Sequence, residues 1–204
     1  DRSLKLVTPH RLDASHWGFM CPIESPDGEN IGLLKHIATS CQISEEVDDE
    51  DSIISLLKTH NVTLVQDLIP IELYGLTKVI LNNNWIGVHT DAKKLLDIFK
   101  ELKQSGQISS HSSISWNILE NEIELFTDAG RCVRPLYIAT DDMQKKAYDI
   151  VINLKKTDRS SDIWSALISH PKSSLNKSTR TTEVSLSPIE FVDCVEMSRS
   201  HIAM

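Results

Sequence analysis

The sequence predicts an α+β fold in which a mixed or antiparallel sheet is covered by helices. Residues 78–89 place β-rich segments on both sides of the turn Asn82-Asn83-Asn84, which predicts a hairpin. Residues 92–104 repeat apolar side chains at helical spacing, and residues 114–126 alternate between apolar and polar side chains. A hairpin, two further strands and one amphipathic helix together indicate a sheet with a helix on one face.

The segments before the hairpin follow from shorter patterns. Residues 4–12 are expected to be extended, with three inward-facing leucines, Leu4, Leu6 and Leu12. Helical spacing of apolar residues predicts a short helix over 31–37, which passes into an extended piece near 39–43. Asp51-Ser52 is expected to cap a helix running to about residue 60, and residues 62–65 to form a short strand that leads to Pro70.

The remaining elements lie on either side of residue 140. Thr90 or Asp91 is expected to cap the helix over 92–104, and Gly106 to close it. Beyond it the sequence predicts a strand over 132–138, helices over 141–154 and 161–169, a mobile loop over 170–187 and a strand or turn over 188–195. We divide the chain into four predicted units: 1–44, an α+β unit 45–139, a helical insertion with its loop 140–187, and a return segment 188–204.

Composition excludes several classes of protein. With 204 residues, 40% of them hydrophobic, the chain has enough apolar material for a packed core. It has no apolar run of about 18 residues and no charged-then-apolar leader, so we expect neither a membrane span nor a signal peptide, and an intracellular protein. Because the chain begins and ends abruptly, we expect it to be a segment of a longer protein.

The charge pattern limits how this chain meets nucleic acid. A net charge of −8 argues against gripping a phosphate backbone with the whole surface, so any contact must be local. The acidic run over 45–51 is interpreted as a solvated loop, since it lacks the glycine and spacing of a calcium loop. The four cysteines contain no C-x-x-C pair, so they are expected to be reduced core thiols and not metal ligands: Cys21, Cys41, Cys132 and Cys194.

The segment 11–35 is the candidate functional loop. Pro22 and Pro26 exclude a helix between them, and Pro26-Asp27-Gly28 is typical of a turn with Gly28 at positive φ. The turn presents a set of polar side chains, Glu24, Asp27, Glu29 and Asn30. Two interpretations stay open: a structural turn with solvated carboxylates, or a stiff loop that displays functional groups.

Two enzyme classes are not supported by motifs. A hydrolase would need a nucleophile and base, yet no G-x-S-x-G or Cys-His signature is present. A phosphate-binding loop of the G-x-x-x-x-G-K-[ST] type is also missing, since Gly28 and Gly32 are not followed by Lys and Ser or Thr. A docking module of a larger machinery is compatible with the acidic charge and the covered sheet.

Three stretches resemble one family. The first is His16-Trp17-Gly18 followed by Cys21-Pro22-x-Glu24-Ser25-Pro26-Asp27-Gly28-x-Asn30-x-Gly32-Leu33. It resembles the signature of the second-largest subunit of multisubunit DNA-directed RNA polymerases, called β in bacteria, with Ser15, Ser25 and Asp27 in place of the family's Thr, Thr and Glu. Residues 77–91 and 126–136 are similar to the family's "V-x-V-N-G-x-W-x-G-x-H" and "F-T-D-x-G-R-x-x-R-P-L" stretches. Three matches in order are more specific than any one of them.

The resemblance implies a role in RNA synthesis. The segment would be an inserted domain of a larger subunit that adds nucleotides to an RNA 3′ end, with no catalytic residue and no metal of its own. The Mg²⁺ of such an enzyme would be held by the largest subunit. Partners implied are that subunit, other polymerase subunits, template DNA and the RNA–DNA hybrid. The location implied is the nucleus for a cellular enzyme, and a virion or host cell for a viral one.

The resemblance also implies roles for single residues. Asp27 would orient a cation beside the incoming triphosphate, and three candidates stay open for that cation: His10, which aligns with the family's Arg, its neighbour Arg11, or a residue elsewhere in the assembly. For His16, the role of a hydrogen-bonded core residue is favoured over that of an acid or base. For Trp17, the role of a core anchor is favoured over that of a base-stacking platform. For Asn30 and Lys35, phosphate contact and a capping or surface role stay open.

The second turn is expected to be held by charge. It runs through Asp128, Ala129 and Gly130, and Arg131 and Arg134 follow it. We predict that both arginines pair with Asp128 and neighbouring acids, and that nucleic-acid contact is the less favoured role for them. The prolines and glycines of the first turn, Pro22, Pro26, Gly28 and Gly32, have a backbone role.

Overall fold

The computed structural model describes residues 6–45, 49–69, 73, 75–168 and 187–202. Leu4, Pro70 and nearly all of the predicted loop over 170–187 lie outside these residues. In chain order the strands are β1 (Gln42–Ile43), β2 (Thr63–Leu64), β3 (Thr77–Leu81), β4 (Asn84–His89), β5 (Ser113–Asn117), β6 (Glu122–Phe126), β7 (Cys132–Tyr137) and β8 (Ile189–Asp193). The helices are α1 (Glu50–Thr59), α2 (Ala92–Gln104), α3 (Asp141–Lys156), α4 (Ile163–Ile168) and α5 (Cys194–Ser198).

The larger of two sheets has five strands in the order β2-β4-β3-β6-β5. β3 and β6 are parallel, and the other neighbours are antiparallel. The two-residue turn between β3 and β4 has Asn82 at φ +47° and Asn83 at φ +65°, the left-handed pair that a tight hairpin requires. Asn82 is fixed further, since its side chain accepts from Thr127 N at 2.8 Å and donates to Glu50 Oε1 at 2.7 Å. The mixed α+β class and the hairpin are confirmed.

The main core lies between this sheet and helices α1 and α2. Five side chains in it are fully buried: Leu57, Val79, Leu81, Leu95 and Ile123. Asp91 caps α2 by accepting the Lys94 N–H at 3.1 Å, and Gly106 beyond its end has φ +75°, so both predicted ends of this helix are confirmed.

Helix α1 starts at Glu50, which is earlier than a cap at Asp51-Ser52 would allow. Asp49 is the residue before the helix, and its backbone carbonyl accepts Ile53 N at 3.2 Å. Asp51 and Ser52 therefore lie within the first turn, and the predicted cap at these residues is wrong. Glu50 and Asp51 place negative charge at the positive end of the helix dipole, which stabilises that start.

The strand β7 does not join the larger sheet, as the predicted single sheet would require. It is the centre of a second, antiparallel sheet in the order β1-β7-β8. The chain is redirected at Gly130, which has φ +86° and whose N–H donates to Ser44 O at 2.9 Å, while Ser44 N donates to Arg131 O at 2.7 Å. Strands from three of the predicted units meet in this sheet.

The N-terminal part contains two errors of prediction. Residues 8–10 form a 3-10 turn that Pro9 initiates, and Leu6 and Leu12 are exposed and not inward-facing. Residues 31–37 are not helical, because Gly32 sits at φ +74° and Ile37 pairs with Met20 in an antiparallel bridge. The spacing of apolar residues in 31–37 does not reflect burial, since Leu33, Leu34 and Ile37 are all exposed.

The predicted C-terminal helices are present. α3 and α4 pack against β8 through a small cluster of Ala147, Leu167 and Ile189. Among the described residues, no helix combines the length and the apolar character that crossing a membrane requires.

A buried ionic cluster joins α2 to the C-terminal segment. Lys103, near the end of α2, donates to Phe191 O at 2.6 Å and lies 3.3 Å from Glu196 Oε2 and 3.4 Å from Glu190 Oε1. Burial raises the pKa of Glu196 to about 7; the Lys103 and Lys100 charges oppose that rise, and Glu190 and Asp193 add to it. A carboxylate buried next to two other acids is stable as an ion only while the lysine stays in place.

This cluster predicts a pH-dependent stability. The folded state binds the Glu196 proton more tightly than the unfolded chain does, so protonated Glu196 adds to the free energy of unfolding. This addition is fully present below a pH of about 4.5 and is lost as the pH rises through about 7. We expect the urea midpoint to fall over that window, and Glu196→Gln to remove this part of the fall. Glu101→Gln, on the exposed side of α2, is the control and should keep the wild-type profile. An unchanged profile in Glu196→Gln would contradict the assignment.

Candidate functional site

The candidate loop is closed at its base by a short antiparallel contact. Met20 pairs with Ile37, Cys21 N donates to His36 O at 2.8 Å, and Ala38 N donates to Phe19 O at 2.9 Å. Phe19 is buried beneath this base. Residues 21–36, called the signature loop below, are therefore presented by the fold on a closed base.

Polar contacts fix the inside of the signature loop. Ser25 Oγ accepts the Gly32 N–H at 2.8 Å, and Lys35 Nζ donates to Gly32 O at 2.7 Å. A Cβ atom at Gly32 would overlap the carbonyl oxygen of His10, so glycine is required by close backbone approach as well as by its φ. Gly28 also has positive φ, as its turn predicts. The 3-10 turn Gly28–Asn30 follows it.

His10 is tied to the loop by its ring. Its Nδ1 lies 2.6 Å from Ile31 O, and because a carbonyl only accepts, Nδ1 carries the proton in this contact. The His10 side chain, one of the cations expected beside Asp27, therefore contacts the backbone of the loop instead.

A cleft of about 70 Å³ lies between the turn that precedes the loop and the loop itself. Six residues named in the sequence analysis line this cleft: His10, Arg11, Glu24, Ser25, Gly32 and Lys35. Glu24 Oε1 lies 3.9 Å from His36 Nδ1, a pair that sequence reasoning missed because nothing in the spacing marks it. Apolar side chains line the rest of the space, among them Leu12, Met20 and Leu34, so the cleft is mixed in character.

Asp27 is placed differently from the expectation. It is exposed, it does not line the cleft, and among the described residues it makes no ion pair and no side-chain hydrogen bond. In the structure neither His10 nor Arg11 pairs with Asp27, because the His10 ring contacts Ile31 O and Arg11 lines the cleft. The third candidate, a cation elsewhere in the assembly, stays a prediction. Asp27 and Asn30 extend from opposite ends of the 3-10 turn toward solvent.

The His-Trp-Gly stretch is not the core anchor that was predicted. Trp17 is 50% exposed, and His16 Nδ1 is buried with no hydrogen-bond partner among the described residues. Trp17 contributes its backbone, since its carbonyl accepts Arg134 Nη1 at 2.9 Å. Arg134 packs so closely under Gly18 that any Cβ there would overlap the guanidinium group.

Arg131 and Arg134 have separate roles. Arg131 pairs with Asp128 at 2.8 Å, as predicted, and with Asp193 at 3.0 Å. Its Nη2 also donates to the carbonyls of His111 and Phe126, each at 3.0 Å. Arg134 pairs with no acid among the described residues and holds the base of the signature loop instead. The two arginines therefore connect the second turn to β8 and to the loop.

All four cysteines are free thiols, and three of them, Cys41, Cys132 and Cys194, lie near one another. Burial, and then the neighbouring Cys132 thiol, raise the pKa of Cys41 to about 11, and burial also raises the pKa of Cys194. Cys194 is exposed and Cys21 and Cys132 are half-buried, so the prediction of core thiols holds for Cys41 alone. In the part of the chain that the structure describes, no group of His, Cys, Asp and Glu side chains has the arrangement of a metal site.

Comparison with known proteins identifies the family. The family model "RNA polymerase Rpb2, domain 3" matches residues 1–43, and "RNA polymerase Rpb2, domain 4" matches residues 79–140. The chain is 36% identical over 140 residues, 69% of its length, to DNA-directed RNA polymerase II subunit RPB2 of Eremothecium gossypii. It is 30% identical over 200 residues, 98% of its length, to the subunit of the same name from Encephalitozoon cuniculi.

A viral relative is also similar. DNA-directed RNA polymerase subunit 2 of Acanthamoeba polyphaga mimivirus is 29% identical over 140 residues, 68% of the chain. The chain spans only 11%, 16% and 12% of the lengths of these three relatives. The chain therefore belongs to the family of second-largest subunits of multisubunit RNA polymerases, and it is a part of such a subunit.

Proposed function

We propose that the chain works within a DNA-directed RNA polymerase, a nucleotidyltransferase, and shapes its active-centre cleft during template-directed RNA synthesis. The observation that carries this proposal is the match of residues 1–43 to Rpb2 domain 3, because that match contains the signature loop and the cleft beside it. The anchored base of the loop supports the proposal, since a group that positions a reacting chain must itself be held in place.

The chain's contribution is positional. Mg²⁺ and the catalytic groups are assigned to the largest subunit, as the resemblance to the family implies. The chain alone is accordingly expected to be inactive. Its partners in the enzyme are the largest subunit, the other polymerase subunits, template DNA and the RNA–DNA hybrid.

Asp27 is proposed to act through a cation outside this chain. Its carboxylate is exposed and without a partner among the described residues, so folding of the loop leaves it available. A carboxylate repels a triphosphate, and its use near one is to orient an arginine or lysine that binds the phosphates.

A docking role is the second candidate, and one observation favours it. Residues 6–43 expose apolar side chains that a self-contained domain would bury, among them Ile23 at 89% and Leu6 at 59%. Such a surface fits contact with other parts of the polymerase, and this role is compatible with the first. The location follows the enzyme: the nucleus for a cellular polymerase, and the virion or host cell for a viral one.

Asp27→Ala in the assembled polymerase tests the proposal. We expect complete assembly and an elongation rate changed by about two- to fivefold, since one exposed charge interaction contributes about 0.5–1 kcal/mol. The measurement is single-round elongation on a fixed template, with subunit composition checked by gel filtration.

Glu29→Ala is the matched control for that test. Glu29 is an exposed carboxylate two residues away on the same turn, and its loss should leave the rate unchanged. Failure of assembly in Asp27→Ala would favour docking, and an elongation rate equal to that of wild type would remove the positional role.

A further inference from the structure

Three free thiols lie on one face of the smaller sheet, at one end of its strands. Ile43 of β1 is directly opposite Cys132 of β7. Cys41 comes two residues before Ile43, so its side chain lies on the same face as Cys132 and diagonal to it. Strand β8 ends at Asp193, one position before the level of Cys132, and Cys194 reaches that level from the other side. Cys132 is therefore the middle thiol of the three.

The Cys41 and Cys132 thiols are in contact. A hydrogen bond joins the two thiols, and the Val133 N–H donates to the Cys41 sulfur, whereas Cys194 acts on Cys41 through charge. Cys41 is buried and Cys132 is half-buried, and both are free. Disulfide formation needs two sulfur atoms side by side, one of them within reach of an oxidant in solvent. The pair of Cys41 and Cys132 meets both conditions.

The protonation of Cys41 sets the pace of its oxidation. With its pKa raised to about 11 by burial and then by the Cys132 thiol, Cys41 carries its proton at neutral pH. A protonated thiol attacks a disulfide slowly, so a brief exposure to oxidant leaves the pair reduced. A stabilised thiolate makes a protein disulfide easy to reduce, and burial gives Cys41 no such stabilisation. The bond is therefore slow to form and durable once formed.

We propose that Cys41 and Cys132 form a reversible disulfide when the chain meets an oxidised low-molecular-weight disulfide such as glutathione disulfide. Cys132, the more exposed thiol, loses its proton and attacks one sulfur of glutathione disulfide, which releases one glutathione. Cys41 then loses its proton and attacks the Cys132 sulfur, which forms the protein disulfide and releases the second glutathione. Two protein thiols are oxidised by two electrons in total, and one small disulfide is reduced to two thiols. This oxidation site is independent of the function proposed above.

The bond ties the signature loop to the smaller sheet. Cys41 N donates to Ala38 O at 3.0 Å, and Ala38 N donates to Phe19 O at the base of the loop. Cys132 lies two residues before Arg134, whose guanidinium group holds the same base. A disulfide between Cys41 and Cys132 links these two supports covalently, so the base opens less often in the oxidised chain.

The disulfide is mapped in the assembled polymerase. The enzyme is incubated for several hours with glutathione disulfide, the remaining thiols are blocked with iodoacetamide, and tryptic peptides are analysed by mass spectrometry. Each cysteine lies on its own tryptic peptide: 12–35, 36–58, 132–145 and 181–199. We expect 36–58 linked to 132–145, with the blocked form of each reduced at least about fivefold and restored by dithiothreitol. Amide exchange at Ala38 should be at least about threefold slower in the linked form.

Serine variants test the order of the two attacks. Cys41→Ser should retain one glutathione on Cys132, because the second attack is missing. Cys21→Ser removes a half-buried thiol of the signature loop and is the control, so it should form the same disulfide as wild type. Cys194→Ser should also form it.

The wild-type enzyme alone can overturn the proposal, whether or not the variants fold. Contradicting results are peptides 36–58 and 132–145 that are both fully blocked by iodoacetamide, or a link between 132–145 and 181–199. Unchanged exchange at Ala38 in the linked form would overturn the role of the bond at the loop base. These readouts are chemical, so they stand or fall separately from elongation by Asp27→Ala.

Discussion

Arg131→Ala is expected to lower the free energy of unfolding by about 3–5 kcal/mol, the usual cost of removing one partner of a buried ion pair. Asp193, at 4% side-chain exposure, would keep its charge without the 3.0 Å contact to Arg131 Nη1. The carbonyls of His111 and Phe126 would lose their donor at the same time. Urea unfolding followed by tryptophan fluorescence measures the loss.

The reason for so large an effect is the position of Arg131 between the two sheets. Phe126 ends β6 in the larger sheet, and Asp193 ends β8 in the smaller one. Asp193 also caps α5 by accepting Glu196 N at 2.8 Å, so its orientation matters for the buried Glu196 and Lys103 as well. One guanidinium group thus holds the end of each sheet and the start of a helix.

Asp128→Asn is the control for this prediction. Asp128 pairs with the same guanidinium at 2.8 Å, but its side chain is 51% exposed, and exposed pairs contribute about 0–1 kcal/mol. If Arg131→Ala and Asp128→Asn lowered the free energy of unfolding equally, the pair of Arg131 with Asp128 in the turn would account for the whole effect. The contacts of Arg131 between the two sheets would then contribute nothing.

Local patterns in the sequence were enough to predict the hairpin and helix α2. Asn82 and Asn83 can both adopt positive φ, and this fixes the turn without reference to the rest of the chain. Asp91 and Gly106 mark the two ends of α2, and its apolar face matches the period of a helix. Each of these signals lies within about four residues of the structure that it determines.

The placement of β7 could not be predicted in that way. Its residues have the same β-rich pattern as β5 and β6, but its partners are Gln42–Ile43 and Ile189–Asp193, which lie far away in sequence. Alternation of side chains indicates a strand and says nothing of which strand it pairs with. The same applies to the partners of Arg131, of which only Asp128 is near in sequence.

The signature loop was recognised, yet its contacts were not. Apolar spacing over 31–37 favoured a helix, and the positive φ of Gly32 together with the bridge of Ile37 to Met20 prevented it. The pairing of Asp27 with His10 or Arg11 came from the resemblance, and the structure shows the His10 ring bonded to Ile31 O instead. A histidine ring that donates to a loop carbonyl cannot take the place of an arginine side chain that pairs with a carboxylate.

Gly18→Ala is expected to destabilise the base of the signature loop by about 2–4 kcal/mol. Gly18 has φ +79°, which costs a residue with a Cβ about 1–2 kcal/mol. The added Cβ would also lie 2.5 Å from Arg134 Cζ and 2.7 Å from Arg134 Nε, so the guanidinium group would have to move and give up its hydrogen bond to Trp17 O, at a cost of about 1–2 kcal/mol. Amide hydrogen exchange at Ala38, whose N–H donates to Phe19 O, reports the opening of this base.

Gly28→Ala separates the two causes. Gly28 has nearly the same backbone, with φ +86°, and no atom within 4 Å of the Cβ position. Its substitution should therefore show the backbone cost alone, about 1–2 kcal/mol, and the excess in Gly18→Ala is the clash with Arg134. Equal effects of the two substitutions would contradict the clash.

The contact between Gly18 and Arg134 couples two stretches of sequence that resemblance treats as independent. Arg134 donates to Trp17 O, and its guanidinium group occupies the space that only a glycine at position 18 leaves open. A double-mutant cycle with Arg134→Ala should therefore give a coupling of about 0.5–3 kcal/mol, in which alanine at position 18 costs less once the guanidinium is gone. Additive effects would mean that the loop and the second turn are held by separate contacts, and the glycine would then serve its backbone conformation alone.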